Sequence, residues 1–338
     1  MSVAPIISPA MDASPTSTSA EPPARISLVR RSRPDTVWVI SGLYFLAAWL
    51  IQSRLHRPIH LFDTVPTFGA TMAVGSLVFI VMQHWRGRTV AKGPDALGFL
   101  AAIALMQSAF HSLKVSIGYV VGFPHDRSWA LVDATLHGGD PGAWLHRVLS
   151  DPALRTLDGL YSFWFVIAMG VTVWCTWTTH PLARRARLAW VLVWIVVGTI
   201  GAWYGASAGP AYYQAVTGDP RFVPLLERLD HAGVFARSLQ LSLWDIQIRD
   251  LHAPFSGVSA MPSMHVAGAV FAALLTSAIS RTLGVVFWTL AIGIQIGSVA
   301  LGWHYAIDGY IGALLAWACW WISAWEPRRA ADKTTQSA

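Results

Sequence analysis

Two residues near the C-terminal end of the sequence, His304 and Asp308, place a carboxylate four positions after an imidazole. On a helix, side chains four residues apart lie on one face and within reach of each other. A carboxylate there fixes the tautomer of the imidazole and stabilises the positive charge that forms when the other ring nitrogen attacks an electrophile. The pair therefore suits a nucleophilic histidine. Taken alone, it is also explained by a His–Asp contact that joins two helices.

A second polar segment, Ser259–Ala267, predicts a helix start beside another histidine. Pro262 and Ser263 are typical of the first positions of a helix, with Ser263 as the candidate N-cap. The free backbone N–H groups and the dipole at such a start suit a phosphate, which His265 on the first turn would then face. Two histidines, a carboxylate and a helix N-terminus at one membrane face would form an acid and nucleophile site for phosphoryl transfer.

The elements that must position these residues are eight apolar segments, each close to the length of about 17–25 residues that crosses a membrane as a helix. They are Thr36–Gln52, Val65–Trp85, Ala96–Ser112, Leu157–Thr178, Leu188–Ser207, Met264–Ser280, Val285–Leu301 and Tyr305–Trp325. The third could continue toward Phe123, although Lys114 interrupts it. The sequence predicts an all-α fold, a polytopic transmembrane helix bundle of about eight spans.

The composition argues against a soluble enzyme and a disordered chain. Hydrophobic residues make up 54% of the 338 positions and charged residues 12%, against about 25% charged in soluble domains. The net charge of +6 would ordinarily raise nucleic acid as a partner. With the N-terminus in the cytoplasm, however, most Lys and Arg fall in short cytoplasmic segments, as expected of a membrane protein. We therefore expect membrane lipids, and no nucleic acid, as partners.

The chain is expected to form one membrane domain between two tails. Residues 1–35 are rich in Ser, Pro and Ala and predict a disordered cytoplasmic tail. Residues 36–326 form the predicted transmembrane domain, and residues 327–338 a cytoplasmic C-terminal tail. The Ala- and Arg-rich, Lys-poor usage indicates a GC-rich bacterium, so we expect the inner (cytoplasmic) membrane, with the site on the extracytoplasmic side.

Two long loops, at about residues 113–156 and 208–263, fall on the predicted outer side. Their amphipathic stretches Pro141–Leu149 and Val223–Leu229 predict short interfacial helices and no separate domain. Both predicted catalytic segments border this side.

Neither a metal nor a cofactor is expected. Cys175 and Cys319 lie in apolar runs and have neither disulfide nor metal-ligand spacing. The histidines of the predicted outer side lack the spacing of a zinc motif: His56, His60, His125, His137, His146, His231 and His252.

Residues at the start of the fourth segment have plainer explanations. Asp158 is interpreted as a charge at a helix start, where the dipole favours it. Tyr161, Trp164 and Phe165 after it are interpreted as packing residues.

The two polar segments also carry a family resemblance. Residues 260–267, Ala-Met-Pro-Ser-Met-His-Val-Ala, and residues 304–309, His-Tyr-Ala-Ile-Asp-Gly, resemble the second and third motifs of the phosphatidic acid phosphatase type 2 superfamily. The pattern Ala-Met-Pro-Ser-x-His with His-Tyr-x-x-Asp is similar to the inositol phosphorylceramide synthase branch, and sphingomyelin synthases share a related His-Tyr-x-x-Asp. The resemblance covers about residues 157–325 and is weak before residue 150.

This resemblance implies a six-helix core and a mechanism without metal. It makes His304 the nucleophile on a lipid phosphate, giving a phosphohistidine that Asp308 orients. His265 would protonate the departing group and then activate the acceptor, which is water or a lipid alcohol. Ser263 and neighbouring amides would hold phosphate oxygens. The implied substrate is a phospholipid or a lipid phosphate.

The sequence departs from the phosphatase pattern in its cations. Ser298 stands where that pattern has an Arg six residues before the third-motif His, and Met264 stands where phosphatases usually have Gly. No Lys-x6-Arg-Pro first motif occurs, and the corresponding region is residues 206–213, Ala-Ser-Ala-Gly-Pro-Ala-Tyr-Tyr. Tyr212 and Tyr213 are candidates for lining the pocket. Three outer arginines are candidates for binding phosphate: Arg221, Arg237 and Arg249.

Three functions remain open on these residues. Transfer of a phospho-headgroup to a lipid alcohol fits the missing cations best, and hydrolysis of a lipid or polyprenyl phosphate is the close alternative. A transporter that uses the His–Asp pair as a proton relay is an alternative from another class. It would predict inverted repeats, which the sequence lacks.

Overall fold

The computed structural model describes residues 36–61, 65–251, 253–254 and 256–325, and of residues 65–68 it describes the backbone only. Within these ranges the regular elements are helices and no strand occurs, which confirms the predicted all-α fold. The predicted tails at residues 1–35 and 327–338 lie outside the described residues.

The helices follow one another along the chain. The first part of the chain forms α1 (Thr36–Arg54), α2 (Val65–Trp85), α3 (Gly93–Val120), α4 (Asp126–His137), α5 (Pro141–Val148), α6 (Asp151–Ser162), α7 (Trp164–Trp177) and α8 (Ala183–Ile195). A π-helical stretch, Val196–Gly201, joins α8 to α9 (Ala202–Tyr204). There follow α10 (Tyr213–Thr217), α11 (Val223–Ala232), α12 (Phe235–Ile248), α13 (Met264–Ile279), α14 (Arg281–Ala300) and α15 (Ala306–Ile322).

Six stretches of the described chain are helical, long and apolar enough to cross a membrane: Thr36–Arg54, Gly93–Val120, Asp151–Trp177, Ala183–Tyr204, Arg281–Ala300 and Ala306–Trp325. Two shorter apolar helices, Gly69–Trp85 and Met264–Ile279, accompany them. Each predicted apolar segment corresponds to one of these eight. Lys114 does not interrupt the third, because α3 continues to Val120. The chain is a multi-pass helical membrane protein.

Apolar side chains lie on the outer surface of the helix bundle as well as in its core. Leu43 on α1, Val74 on α2, Ile292 on α14 and Leu314 on α15 are each 60% or more exposed. An apolar surface of this extent is unfavourable in water and fits a lipid environment. The exposed faces therefore agree with the membrane assignment.

Helix α13 packs against α7, α8, α14 and α15. Its residues Val266–Ala273 are buried, and Phe271 stacks on Trp190 of α8 with ring centroids 5.1 Å apart. The lack of a side chain at Gly268 lets the indole of Trp164 on α7 lie close to α13, since an added Cβ would be 2.8 Å from its Nε1. Because His265 lies on the first turn of α13 and His304 immediately precedes α15, this packing brings the two motifs to the same end of the bundle.

The predicted outer segments form short helices. The amphipathic stretches fold as α5 and α11, as the sequence predicts. Asp158 does not start the fourth segment, because α6 begins at Asp151. Its carboxylate instead accepts the backbone N–H of Phe235 at 2.5 Å and of Ala236 at 3.2 Å. Asp158 thus caps α12, a helix that is remote in sequence.

Candidate active site

His304 and Asp308 are in contact and buried. The imidazole Nδ1 lies 3.3 Å from Oδ2 of Asp308, and their side chains are 6% and 0% exposed. The contact does not arise on one helical face, because α15 begins at Ala306. Tyr305 is the N-cap, and the Asp308 carboxylate turns back to accept its N–H at 3.0 Å. His304, one residue earlier, meets the same oxygen.

Ser263 is the N-cap of α13, as predicted. Its backbone is extended, and its Oγ accepts the N–H of Val266 at 3.3 Å. A serine hydroxyl that accepts one hydrogen bond still has a proton to donate. Ser263 is fully buried, so any group that its hydroxyl reaches lies inside the protein.

His265 lies among aromatic rings, beside His304. The centroids of the two imidazole rings are 6.2 Å apart. Tyr161 stacks on His265 at 4.4 Å with the planes 18° apart, and Trp164 lies at 4.4 Å with a 43° tilt. The convergence of the two histidines that the sequence predicts is therefore present in the structure. Tyr161 and Trp164, predicted to be packing residues, pack directly against His265.

The segment just before Ser263 packs against the π-helical stretch and the residues that follow it. A Cβ added at Gly201 would lie 2.8 Å from Pro262, and one added at Gly205 would lie 2.6 Å from Met261. The N–H of Ala260 donates to the carbonyl oxygen of Ser207 at 2.8 Å. The absence of side chains at the two glycines thus allows the segment before α13 to pack closely here.

Two carboxylates of α4 anchor the loop that carries His304, and the sequence reasoning missed both. Asp133 accepts the N–H groups of Ala306 at 3.0 Å and Ile307 at 2.9 Å. Asp126 accepts the Tyr305 hydroxyl at 2.7 Å. Burial raises the pKa of both carboxyls, while the N–H donors counteract it. Their spacing of two helical turns on one face was the available signal.

Asp126 also holds a second loop. Its carboxylate accepts the N–H groups of Ala208 at 2.8 Å and Gly209 at 2.9 Å. Gly209 has φ +93°, a conformation that favours glycine, and its backbone packs against the carbonyl oxygen of Trp303. Asp126 therefore joins two loops. One is residues 206–213, where the first phosphatase motif would be expected, and the other carries the candidate nucleophile His304.

Residues 130–322, more than half of the chain, match the family model described as the PAP2 superfamily. The chain belongs to the PAP2 superfamily. The match confirms the resemblance at the level of the superfamily and begins earlier than the expected residue 157. It contains Asp133 and both motifs, whereas Asp126 and Lys114 lie before it. A search of curated proteins and a search of solved structures each find no match.

In this PAP2-superfamily chain, the three candidate arginines are already paired with carboxylates. Arg221 binds Asp140 through two nitrogens, at 2.5 and 3.0 Å. Two further pairs follow the same pattern: Arg237 with Asp230 at 3.1 Å, and Arg249 with Asp245 at 2.6 Å. The Arg249 side chain is 67% exposed, and no contact in the described part of the chain joins it to His265 or His304. A phosphate would have to compete with an existing partner at each arginine.

The two candidate tyrosines separate in the structure. Tyr212 is buried, stacks on Trp244 with centroids 5.0 Å apart, and donates its hydroxyl to the carbonyl oxygen of Gln240 at 3.1 Å. It interacts electrostatically with Tyr161, which touches His265. Tyr213 packs instead against Phe222, at 5.0 Å. Tyr212 is thus connected to the site through Tyr161, and Tyr213 through the cluster that contains Tyr305, the residue after His304.

Lys114 of α3 is a cation that the sequence reasoning treated only as an interruption of a helix. Its charge acts electrostatically on His265. Its Nζ lies 5.9 Å from the centroid of the Phe110 ring, and its stem packs against Gly257. No salt bridge of Lys114 occurs within the described ranges. Lys114 is therefore a cation whose charge acts on His265.

Proposed function

We propose that this chain is a membrane phosphotransferase that moves a phosphate-linked lipid headgroup onto an acceptor alcohol, with His304 as the nucleophile. One observation carries the proposal. A buried His304 directs Nδ1 at the Asp308 carboxylate, 3.3 Å away, while the ring of His265 lies 6.2 Å from its own. This arrangement supplies an oriented nucleophile and a separate acid and base.

The first half of the reaction uses both histidines. Because Asp308 engages Nδ1, Nε2 of His304 attacks the phosphorus and forms a P–N bond. The P–O bond to the donor lipid breaks, and the departing oxygen takes a proton from His265, leaving a lipid alcohol. Asp308 stabilises the positive charge on the phosphorylated imidazole.

The second half reverses these roles. His265, now neutral, accepts the proton of the acceptor hydroxyl. The acceptor oxygen forms a P–O bond as the P–N bond breaks, so that both histidines return to their starting states. A buried site walled by Tyr161 and Trp164 limits water, which supports a lipid alcohol as the acceptor over hydrolysis.

Phosphate oxygens need donors throughout. We assign this role to the Ser263 hydroxyl, whose acceptor side is occupied by Val266, and to the ammonium of Lys114. The helix start at α13 adds a favourable dipole. Arg249 and Tyr213 are not required by this arrangement.

The proposed site lies where the predicted outer loops meet α13 and α15, and we place it at the extracytoplasmic face of a bacterial inner membrane. The motif pattern similar to inositol phosphorylceramide synthases supports headgroup transfer to a lipid alcohol. PAP2-superfamily membership favours an enzyme over the transporter alternative.

The experiment offers the detergent-purified protein a panel of phospholipids and lipid phosphates, with and without ceramide or diacylglycerol. Free phosphate and transferred headgroup are both measured, together with an acid-labile phosphate label on the protein. Two variants are compared with the wild type: His304→Ala, and His231→Ala as a control on an outer histidine that is 78% exposed.

We expect transfer that depends on the acceptor, lost in His304→Ala and retained in His231→Ala. Equal turnover in His304→Ala would refute the nucleophile assignment. Release of free phosphate without an acceptor would replace transfer by the phosphatase alternative.

A further inference from the structure

Tyr161 carries a buried hydroxyl that has no hydrogen-bond partner within the described part of the chain. The residue is 5% exposed, and its ring stacks on His265. Buried polar groups are nearly always paired, because an unpaired one loses its hydration without compensation. An unpaired hydroxyl beside a candidate catalytic histidine therefore points to a ligand as its partner.

The surroundings of this hydroxyl place it beside the nucleophile. Tyr161 interacts electrostatically with the carboxylate of Asp308. The indole of Trp303, which directly precedes His304, lies nearly parallel to the Tyr161 ring, at 11° and 6.2 Å between centroids. Its buried Nε1–H also has no partner among the described residues. The Tyr161 hydroxyl and the Trp303 indole N–H are thus two neutral hydrogen-bond donors near the loop that carries His304.

The indole N–H of Trp164 is also buried without a partner among the described residues, but its surroundings differ. A Cβ added at Gly268 of α13 would lie 2.8 Å from its Nε1, so the helix covers this nitrogen. We assign Trp164 to packing and leave it out of the ligand site.

Positive charge is scarce near these donors. The three candidate arginines are paired with carboxylates, and Asp308 adds a negative charge. Lys114 is a cation whose charge acts on His265. Neutral O–H and N–H groups donate to phosphate oxygens, but they do not offset a second negative charge. A site of this composition favours a singly charged phosphate group.

We infer that the Tyr161 hydroxyl and the Trp303 indole N–H donate to the non-bridging oxygens of the substrate phosphate, and that this site selects a phosphodiester over a doubly charged phosphomonoester. The inference rests on the proposed function and adds two binding residues and the charge class of the substrate. Under it, Tyr161 and Trp303 take part in holding the phosphate while His304 attacks.

The test compares two Tyr-to-Phe variants of the full chain that differ in the state of the hydroxyl. Tyr161→Phe keeps the ring on His265 and removes the unpaired hydroxyl. The control, Tyr44→Phe, removes a hydroxyl that is paired with Oγ1 of Thr199 at 2.6 Å. Steady-state kinetics in micelles that contain ceramide as the acceptor use phosphatidylinositol as the diester donor and phosphatidic acid as the monoester donor, at a pH where the monoester carries two charges. Tm is measured in parallel.

We expect Tyr161→Phe to lower kcat/KM for the diester by about 10²-fold, the usual effect of removing one oxyanion donor, without lowering Tm. Tyr44→Phe should do the reverse, with a lower Tm and nearly unchanged kcat/KM. The wild type should prefer the diester. If Tyr161→Phe does not fold, Trp303→Phe tests the same donor site.

Wild-type kinetics in Tyr161→Phe, or in Trp303→Phe if that variant replaces it, would overturn the inference and leave the proposed function intact. A wild-type preference for the monoester would do the same. A wild-type protein that turns over neither lipid would overturn the proposed function, and the inference with it.

Discussion

The backbone N–H of Ser263 donates to the backbone carbonyl oxygen of Asp308 across a distance of 3.0 Å. One hydrogen bond thus joins the N-cap of α13 to the first turn of α15. Because the bond uses main-chain atoms, the relative position of the two motifs depends on how closely the helix backbones approach. The geometry of the His265 and His304 pair is therefore sensitive to residues that face this contact.

Gly312 is the residue that permits this approach. A Cβ added there would lie 2.6 Å from the carbonyl oxygen of Ser263. Gly312→Ala should destabilise the fold by about 1–3 kcal/mol, because backbone atoms cannot move aside as a flexible side chain does. It should also lower turnover, since it separates the two motifs.

The control for this prediction is Gly170→Ala on α7, where an added Cβ would meet nothing within 4 Å. Alanine is the better helix former by about 1 kcal/mol, so this variant should be neutral or slightly more stable. Thermal unfolding in detergent and turnover are measured for both. Equal Tm values for the two variants would contradict the close contact at Gly312.

Asp308→Asn tests the carboxylate behind His304. The amide keeps an oxygen for the N–H of Tyr305 but cannot stabilise an imidazolium. Turnover should fall on the order of 10⁴-fold while Tm changes little, as expected when a His–Asp pair loses its charge but not its shape. If the contact between Asp308 and His304 were purely structural, the variant would have a lower Tm, and its turnover would fall only in proportion to the amount of folded protein.

Asp133→Ala tests the anchoring of the His304 loop. It removes the acceptor of two N–H groups at the start of α15 and should cost about 0.5–2 kcal/mol of stability. Turnover should fall by about 10²-fold, because a shift of 1 Å in a reacting group has effects of that size. Asp133→Asn should recover part of the loss, since it keeps one acceptor oxygen.

The matched control is Asp245→Ala, which removes an exposed carboxylate of the outer segment from its pair with Arg249. It should change neither Tm nor turnover appreciably, because exposed ion pairs contribute at most about 1 kcal/mol. Normal kinetics in Asp133→Ala at an unchanged Tm would show that the loop does not depend on α4.

Hydropathy and motif spacing predicted the helices and the His304–Asp308 contact, because both signals are local in sequence. A run of apolar residues marks a membrane helix, and the His304–Asp308 contact spans four positions. Even here the local argument was incomplete, since the contact forms at a helix cap and not along one helical face. The capping role of Ser263 was readable because it also depends on neighbouring residues only.

The residues that the sequence did not reveal act over long separations. Asp126 reaches Tyr305 across 179 positions, and Asp133 reaches Ala306 across 173. Asp158 caps a helix 77 positions away. Hydrogen bonds of this kind depend on which helices pack together, which no local pattern specifies. Of the arginine pairs, Arg221–Asp140 is also long-range, across 81 positions. Arg249–Asp245 is an i,i+4 pair and so was open to a local argument.

Lys114→Met tests whether the ammonium of Lys114 binds the substrate phosphate. Removing a charge-assisted hydrogen bond to a phosphate should lower kcat/KM by about 10–100-fold, mainly through KM, because such bonds contribute about 1.5–3 kcal/mol. Lys114→Arg should retain part of the activity. The control is Arg249→Gln, at an exposed arginine already paired with Asp245, which should leave the kinetics nearly unchanged. A larger effect at Arg249 than at Lys114 would return the phosphate site to the outer arginines, as the sequence alone suggested.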